Sequence, residues 1–351
     1  MTFKMRYKIA VLTLAVALLG SNDLLAGNKD RAGSAGGTQL LINPWARSAG
    51  LGNSNMASIG GLESSFLNVA GLAFTKRTEV GFTYSDYLSG SDISVNAFGI
   101  AQRIGETSVL SLSVSSMNIG DIQITTEDVP AGGIGDFSPT FSNLALSYAK
   151  EFSNSIYGGI TFRVISESIS NITSSGIALD AGIRYVTGER DHVNFGIALK
   201  NVGPPITPKG DGLNTPVIII SNGTAINADQ RVASSELPSL VNIGFSYNFL
   251  FNENMDLTAS GQFTSNSFSR DQIGLGAELN MKSLFQLRAG YLWEDKITSD
   301  TESTTALTGL TAGGSVGIPL GSDGRHMGFD YSYRTTVNFG GIHSIGAHIT
   351  L

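Results

Sequence analysis

Residues 156–164 read Ile-Tyr-Gly-Gly-Ile-Thr-Phe-Arg-Val, and residues 177–185 read Ile-Ala-Leu-Asp-Ala-Gly-Ile-Arg-Tyr. In each stretch one set of alternate residues is apolar, whereas the other set is richer in glycine, polar and charged residues. Successive side chains of a β-strand point to opposite faces, so each stretch forms a strand with one apolar and one polar face. Such strands occur in half-buried sheets of soluble proteins and in the walls of membrane barrels.

The same alternation recurs along the chain and predicts an all-β protein. We count about 14 segments, most of them about 9–13 residues long, which is the length that a tilted membrane strand requires. The segments begin near Thr78, Asp92, Thr107, Thr140, Ser155, Ser174, Asp191, Pro238, Asn254, Arg270, Leu284, Thr304, Arg325 and Gly341. Because the count is even, both ends of a closed sheet would lie on the same side of the barrel.

The lengths of the connections distinguish a barrel from a sandwich. Connections after even-numbered segments are tight turns, as at residues 104–106 and 152–154, whereas two odd-numbered connections are long, at 119–139 and 201–237. Outer-membrane barrels have short periplasmic turns and longer external loops, but a soluble sandwich has no reason to sort its loops in this way. We therefore predict a transmembrane antiparallel β-barrel of about 14 strands.

The composition is consistent with this prediction and excludes several functional classes. Charged residues make up 15% of the 351 residues, and the chain has 43 glycines, no cysteine and a net charge of −7. The mean hydropathy of +0.10 is too low for a bundle of transmembrane helices. The absence of cysteine excludes disulfide scaffolds, cysteine zinc sites and thiol catalysis, and the acidic balance argues against nucleic acid as a partner.

The first residues have the features of a signal peptide. Lys4, Arg6 and Lys8 precede an apolar run at residues 9–19, and Ala26 offers a cleavage point. A short membrane anchor is the alternative, although the run is shorter than the roughly 20 residues of a spanning helix. We predict a signal peptide at residues 1–26, an N-terminal plug or hatch segment at 27–77 and an outer-membrane β-barrel at 78–351.

The hatch segment contains two short motifs of mostly small residues and shows little alternation. Residues 46–52 read Ala-Arg-Ser-Ala-Gly-Leu-Gly, and residues 68–73 read Asn-Val-Ala-Gly-Leu-Ala. Both resemble elements of the PorV/PorQ family of outer-membrane proteins, which is similar in fold to the FadL-type long-chain fatty-acid transporters. The family usually has proline where this sequence has Val69. The hatch-motif residues are Ala46, Arg47, Gly50, Gly52, Asn68 and Gly71.

The resemblance implies a barrel of about 14 strands with the N-terminal segment in its lumen, in the outer membrane of a Gram-negative bacterium of the Bacteroidetes type. It also implies a non-enzymatic role in the type IX secretion system, as a cargo shuttle or as a partner of the translocon or attachment complex. The partners would be outer-membrane lipid, the secretion translocon, and secreted cargo or surface attachment-complex proteins. FadL-like transport of hydrophobic small molecules is the alternative, and a secreted all-β adhesin is a third hypothesis.

Charged residues on the polar strand faces are expected to point into the lumen, because arginine facing lipid near mid-bilayer costs about 2–4 kcal/mol. They form either structural ion pairs or a polar path through the barrel. The candidates are Arg163, Asp180, Arg184, Arg288, Asp330 and Arg334.

The second long connection contains three prolines and then an apolar run. An exposed apolar patch is typical of a contact site, so we expect this connection to dock a translocon or cargo. A lid over an apolar ligand and an extension of the eighth strand are the alternatives. The partner-binding candidates are Pro204, Pro205, Ile206, Pro208, Val217, Ile218, Ile219 and Ile220.

No motif predicts catalysis, a metal site or a cofactor. His343 and His348 lie five residues apart on the last segment and hence on opposite faces, so they cannot act as one pair. Four acidic residues between positions 121 and 136 could bind calcium through carboxylate oxygens, but a solvated loop is the simpler interpretation.

Overall fold

The structure is a computed structural model that describes residues 27–351 except residues 222, 283, 300, 322 and 323. Within these residues fourteen strands form a closed antiparallel barrel, which confirms the predicted fold class. The predicted signal peptide at residues 1–26 lies outside the described residues. No helix in the described part of the chain has the length and apolar character that crossing a membrane requires.

The wall consists of strands that are hydrogen-bonded to their neighbours in chain order. Fourteen of the described strands form it, and the remaining four form two small hairpins, β4–β5 and β10–β11, in the long connections. The strands are β1 (Thr78–Tyr87), β2 (Ile93–Arg103), β3 (Ser108–Asn118), β4 (Ile122–Gln123), β5 (Asp136–Phe137), β6 (Thr140–Ser153), β7 (Ile156–Ile169), β8 (Ile172–Thr187), β9 (Val193–Val202), β10 (Asn214–Ile219), β11 (Thr224–Asp229), β12 (Leu240–Asn252), β13 (Met255–Asn266), β14 (Gln272–Met281), β15 (Phe285–Glu294), β16 (Leu307–Pro319), β17 (His326–Thr336) and β18 (Ile342–Thr350). Each wall strand begins within three residues of the start predicted from the alternation, and β1 closes the barrel against β18.

The helices of the described residues are all short. Two are α-helical turns and four are 3-10 helices. The α-helical turns are Ala46–Ala49 and Ser64–Leu67, and the 3-10 helices are Lys29–Arg31, Thr38–Leu41, Val69–Phe74 and Asp211–Leu213. All but the last lie in the segment that precedes β1.

The connections are sorted between the two ends of the barrel. One end carries tight turns such as residues 154–155 and 253–254, whereas the other carries the long connections 119–139 and 203–239. The second end also carries shorter connections, among them the two-residue turn at 170–171 between β7 and β8. Because outer-membrane barrels place long loops outside and short turns in the periplasm, we name these the periplasmic and external ends.

The two faces of the wall have opposite chemistry. Large apolar side chains such as Ile160, Ile183 and Leu275 point outward and are more than half exposed, because this face contacts lipid. The inward face carries serine, threonine, asparagine and charged residues, most of which are buried. The alternation in the sequence therefore corresponds to lipid on one side of each strand and packed polar atoms on the other.

The hatch segment (residues 27–77) lies inside the barrel. It begins at the external end and reaches β1 at the periplasmic end, where the Leu351 nitrogen donates to the Thr78 carbonyl oxygen at 2.8 Å. Its 3-10 helix Val69–Phe74 packs against β6, β7 and β8, and its turn Ala46–Ala49 packs against β16, β17 and β18. The main hydrophobic core thus lies where the hatch segment meets the wall, as the resemblance implied.

Candidate functional site

The lumen candidates named from the sequence all lie buried on the inward face. Each is at most 8% exposed, so the wall and the hatch segment enclose them almost completely. Arg163 pairs with Asp180 and Arg288 lies near Asp330, whereas Arg184 and Arg334 belong to neither pair, so the six do not form one continuous file. The residues are Arg163, Asp180, Arg184, Arg288, Asp330 and Arg334.

One cluster joins β7, β8 and β9 to the hatch segment. Arg163 Nε lies 2.7 Å from Asp180 Oδ2, and Arg163 Nη2 donates to the Ser65 carbonyl oxygen at 2.9 Å. The other carboxylate oxygen, Asp180 Oδ1, accepts a hydrogen bond from the Asn201 backbone nitrogen at 2.7 Å. Lys200 Nζ lies 3.8 Å from the centre of the Phe66 ring. The ion pair therefore connects two wall strands and holds the hatch backbone at the same time.

Two further wall arginines hold carbonyl oxygens of the hatch segment. Arg184 Nη1 donates to the Ile59 oxygen at 2.7 Å, and its guanidinium carbon lies 4.0 Å from the centre of the Phe74 ring. Arg103 Nε donates to the Thr75 oxygen at 2.8 Å. Because these irregular carbonyl groups have no strand partner, the arginines satisfy hydrogen bonds that burial would otherwise leave unmade.

A second charged cluster lies on the opposite side of the lumen. The hatch residue Arg47 lies 3.6 Å from Glu278 on β14, and Arg288 on β15 contacts both Glu278 and Asp330. Asp330 Oδ2 lies 2.9 Å from His348 Nδ1 on β18. The nearby Glu278 carboxylate raises the pKa of Arg47 above its usual range. The alternating charges form a network of structural ion pairs that continues from the hatch segment into the wall.

Glu63 is a partly buried acid of the hatch segment beside this network. Its Oε2 accepts a hydrogen bond from the Ser48 backbone nitrogen at 3.2 Å, so it holds the turn Ala46–Ala49. Burial, together with the negative charge of Asp330, raises the pKa of Glu63 to about 7. This acid therefore changes its protonation near neutral pH.

The two hatch motifs contact the wall where the wall carries glycine. Asn68 Nδ2 donates to the Ile183 carbonyl oxygen at 3.2 Å, and its Oδ1 accepts from the Ala70 nitrogen at 3.2 Å. A Cβ atom added at Gly182 would lie 2.2 Å from Asn68 Oδ1, so this approach requires glycine. At Gly71 an added Cβ would meet the Ile59 oxygen at 2.4 Å.

The motif at residues 46–52 makes a similar close contact with β16. A Cβ added at Gly50 would lie 3.2 Å from the Gly313 Cα, and the Gly50 carbonyl accepts a hydrogen bond from Thr311 Oγ1 at 3.1 Å. Ala46 is buried, and Gly52 adopts a positive φ of 60° at the end of the turn. The small residues of both motifs are therefore explained by backbone packing inside the lumen.

The structure corrects one member of the predicted partner-binding set. Ile206 is only 3% exposed and packs with Leu40, Ile165 and Leu237, so it holds the hatch segment and is not available to a partner. Its neighbours Pro204 and Pro205 are exposed, and Pro208 is partly exposed.

The apolar run of the second long connection forms a separate hairpin rather than an extension of the eighth wall strand. β10 pairs only with β11, with Val217 opposite Ile226. Ile218 is 67% exposed and Ile220 is 99% exposed. The β10–β11 hairpin therefore exposes apolar surface at the external end of the barrel.

A family model described as type IX secretion system protein PorV matches residues 26–267, which is more than half of the chain. The chain belongs to the PorV family. No curated protein matches the sequence. The family and the barrel fold place the protein in the outer membrane of a Gram-negative bacterium.

Solved structures share the fold of this PorV-family chain. The Pseudomonas putida toluene transporter TodX is 12% identical, with a TM-score of 0.56 over 88% of this chain and 97% of that chain. The CymD monoaromatic hydrocarbon channel is 12% identical, with a TM-score of 0.52 over 92% and 97%. The Ralstonia pickettii toluene transporter TbuX is 13% identical, with a TM-score of 0.51 over 93% and 98%. These likenesses show a shared FadL-like outer-membrane barrel fold.

Three residues that were not predicted from the sequence belong to the two charged clusters in the lumen of this PorV-family chain: Glu278, Lys200 and Asn201. Glu278 occupies an inward position of the alternating strand β14, so its direction was predictable although its partners were not. Lys200 follows the alternation, since it lies on the inward face of β9 with Asn194, Gly196 and Ala198. Asn201 was hidden by a bulge in β9, where the register with β8 shifts between Leu179 and Ala181. The bulge turns Asn201 inward, and this residue adopts a positive φ of 59°.

Proposed function

We propose that this PorV-family protein is a non-enzymatic component of the type IX secretion machinery and binds protein partners through its external loops. The partners are the translocon and either secreted cargo or proteins of the surface attachment complex. The observation that carries the proposal is the exposed β10–β11 hairpin in a chain of this family. We also propose that the membrane is that of a bacterium of the Bacteroidetes type, because the resemblance to PorV/PorQ proteins implies it.

The packing of the lumen supports a docking role over conduction. Hatch residues such as Met56, Leu62 and Leu72 are almost completely buried, and ion pairs such as Arg163–Asp180 and Arg47–Glu278 occupy the lumen. Two cavities beside the hatch segment, one near Glu63 and one near Gln39, each have room for about one water molecule and are too small for an organic solute.

The exposed hairpin supports binding of a protein. Ile218 and Ile220 would bury apolar surface in a contact, and each Å² removed from water contributes about 25 cal/mol. Exposed apolar patches at the end of a membrane protein are typical of interaction sites. The hairpin is separate from the wall, so a partner can cover it without disturbing the barrel.

Passage of apolar small molecules is the second candidate function. It is favoured by the fold shared with a monoaromatic hydrocarbon channel and two toluene transporters. The polar inward face and the filled lumen disfavour it, because an apolar solute would have to displace the hatch segment and its hydrogen bonds.

The test is a pull-down in mild detergent from cells that contain the secretion machinery. We compare the wild-type chain with the double variant Ile218→Asp/Ile220→Asp and with Ile134→Asp, a control at an exposed apolar residue of the first long connection. We expect the hairpin variant to lose most of its bound translocon or cargo, and the control to retain it. Deletion of residues 204–217 is less informative, because it also removes the buried Ile206.

Two further measurements separate the candidates. Export of cargo to the cell surface should fall in the hairpin variant and remain normal in the control. If neither variant affects binding or export, and purified protein takes up an aromatic hydrocarbon with release of the hatch segment, the second candidate replaces the first.

A further inference from the structure

The hatch segment begins at the external end, beside the connection between β13 and β14. The Gly27 backbone nitrogen lies 2.9 Å from Asp271 Oδ2. Asp271 Oδ1 accepts a hydrogen bond from the Asn266 backbone nitrogen at 3.2 Å, and Asp271 is only 3% exposed. A buried carboxylate therefore faces the backbone nitrogen of Gly27.

The surroundings of Gly27 have no room for a side chain. A Cβ atom at this position would lie 2.6 Å from the Asp271 nitrogen and 2.7 Å from the Ser269 carbonyl oxygen. Such distances are shorter than any ordinary van der Waals contact between these atoms. Only glycine allows the chain to bring its nitrogen so close to the carboxylate.

Residues 28–37, which follow Gly27, also contact the external end of the barrel. Arg31 Nη2 lies 2.9 Å from Glu236 Oε2, and its guanidinium carbon lies 3.8 Å from the centre of the Phe268 ring. The Gly37 nitrogen donates to Glu167 Oε1 at 3.0 Å. We call residues 27–37 the strap; its contacts reach the connection after β9, the connection after β13 and strand β7.

We propose that cleavage between Ala26 and Gly27 creates the N-terminus of the mature protein and that Asp271 binds the new α-ammonium group. The sequence predicts a signal peptide that ends at residue 26, and the structure supplies a carboxylate at the nitrogen that this cleavage releases. The site is thus a receptor for the chain's own processed terminus.

The chemistry of the cleavage accounts for the charge. Water adds to the carbonyl carbon of Ala26, and the bond from that carbon to the Gly27 nitrogen breaks. Ala26 becomes the carboxylate end of the released peptide, and the Gly27 nitrogen takes up both protons of the water and becomes an ammonium group. A host peptidase of the signal-peptidase class catalyses this hydrolysis.

Processing strengthens the contact that fixes the strap. Before cleavage, the Gly27 nitrogen is a neutral amide donor, whereas afterwards it is a cation. Before cleavage only the acceptor of this hydrogen bond is charged, whereas afterwards both partners are, and a buried carboxylate is far less costly when a positive charge faces it. The mature terminus therefore holds the strap at the external end of the lumen more firmly than the precursor does.

The experiment measures the terminus and its protection in the protein purified from outer membranes. Intact-mass analysis should show a chain that begins at Gly27. The folded protein is then treated with an amine-reactive succinimidyl ester near neutral pH, and labelling of the Gly27 amine is followed by mass spectrometry. We expect labelling to be about tenfold slower in wild type than in Asp271→Asn, because contact with a carboxylate disfavours the reactive neutral amine.

A matched control and a second variant make the result decisive. Glu302→Gln removes an external carboxylate that pairs with Lys296 and should leave the Gly27 amine protected. Insertion of one glycine before Gly27 moves the ammonium by about 3.8 Å and should abolish protection without changing Asp271, which covers the case in which Asp271→Asn does not fold. A mature terminus at another residue, or equally rapid labelling in wild type and in the insertion variant, would overturn the proposal.

Discussion

Replacement of Asp180 by asparagine tests whether the lumen charges hold the hatch segment in place. Asp180 and Arg163 are buried, with side chains 5% and 6% exposed. In Asp180→Asn the amide oxygen can still accept from the Asn201 nitrogen, but an NH₂ group or a neutral oxygen then faces Arg163. The guanidinium loses its counter-charge while it remains buried.

The expected loss is large because the remaining charge has no route to water. Removal of one partner from a buried ion pair typically costs about 3–5 kcal/mol. The neighbouring Lys200 adds to the imbalance, since it lies in the same cluster over the Phe66 ring. We therefore expect the free energy of hatch unfolding to fall by about 3–5 kcal/mol, with the wall itself still closed.

Trp45 provides the assay, because it is buried in the hatch segment and is one of only two tryptophans. In a Trp293→Phe background its fluorescence reports hatch unfolding in urea, in detergent micelles. Glu302→Gln is the matched control, because its pair with Lys296 is exposed and such pairs contribute about 0–1 kcal/mol. A loss in Asp180→Asn no greater than that of the control would refute the structural role of the ion pair.

Three further predictions concern the acid of the hatch segment, the close backbone contact and the barrel. The folded chain favours protonated Glu63, because its pKa is raised from 4.5 to about 7. The contribution of Glu63 to hatch stability therefore falls as the pH rises between these two values. Glu63→Gln should flatten the pH dependence of the unfolding transition reported by Trp45, and an unchanged slope would contradict this. Gly182→Ala should lower hatch stability by about 1–3 kcal/mol through overpacking against Asn68. The control Gly261→Ala should have little effect, because its added Cβ meets its nearest atom at 3.6 Å. Equal losses of stability in the two variants would exclude the contact between Gly182 and Asn68 as the cause. Unboiled protein should migrate differently from boiled protein on a denaturing gel, and identical migration would count against the barrel.

The strands and the sorting of the loops were predictable because lipid imposes a local rule. Every second side chain of a wall strand faces the bilayer and must be apolar. Stretches such as residues 177–185 can therefore be recognised as strands without knowing which strands lie beside them. The inward direction of Arg163 and Arg184 followed from the same rule. Their partners did not, because a partner depends on the register between strands and on the path of the hatch segment.

Two residues of the candidate site lie at positions that the alternation along a strand does not predict. Ile206 looks like an exposed loop residue beside three prolines, yet it is buried against Leu40 of the hatch segment. Asn201, whose backbone nitrogen donates to Asp180, falls at a bulge that interrupts the alternation of β9. Neither position can be deduced from a strand pattern, since one depends on a distant segment and the other on an added residue in one strand.

The sequence by itself determined the class of protein: a transmembrane barrel of alternating strands, short turns at one end, long loops at the other and a small-residue segment before β1. Only the tertiary structure decided which strands this segment packs against in the lumen, that wall arginines hold its carbonyl groups and that Asp271 meets the nitrogen of Gly27. The physical reason is the range of the interactions. Contact with lipid acts on each strand separately, whereas ion pairs and close backbone packing join distant residues such as Gly50 and Thr311, which are 261 positions apart.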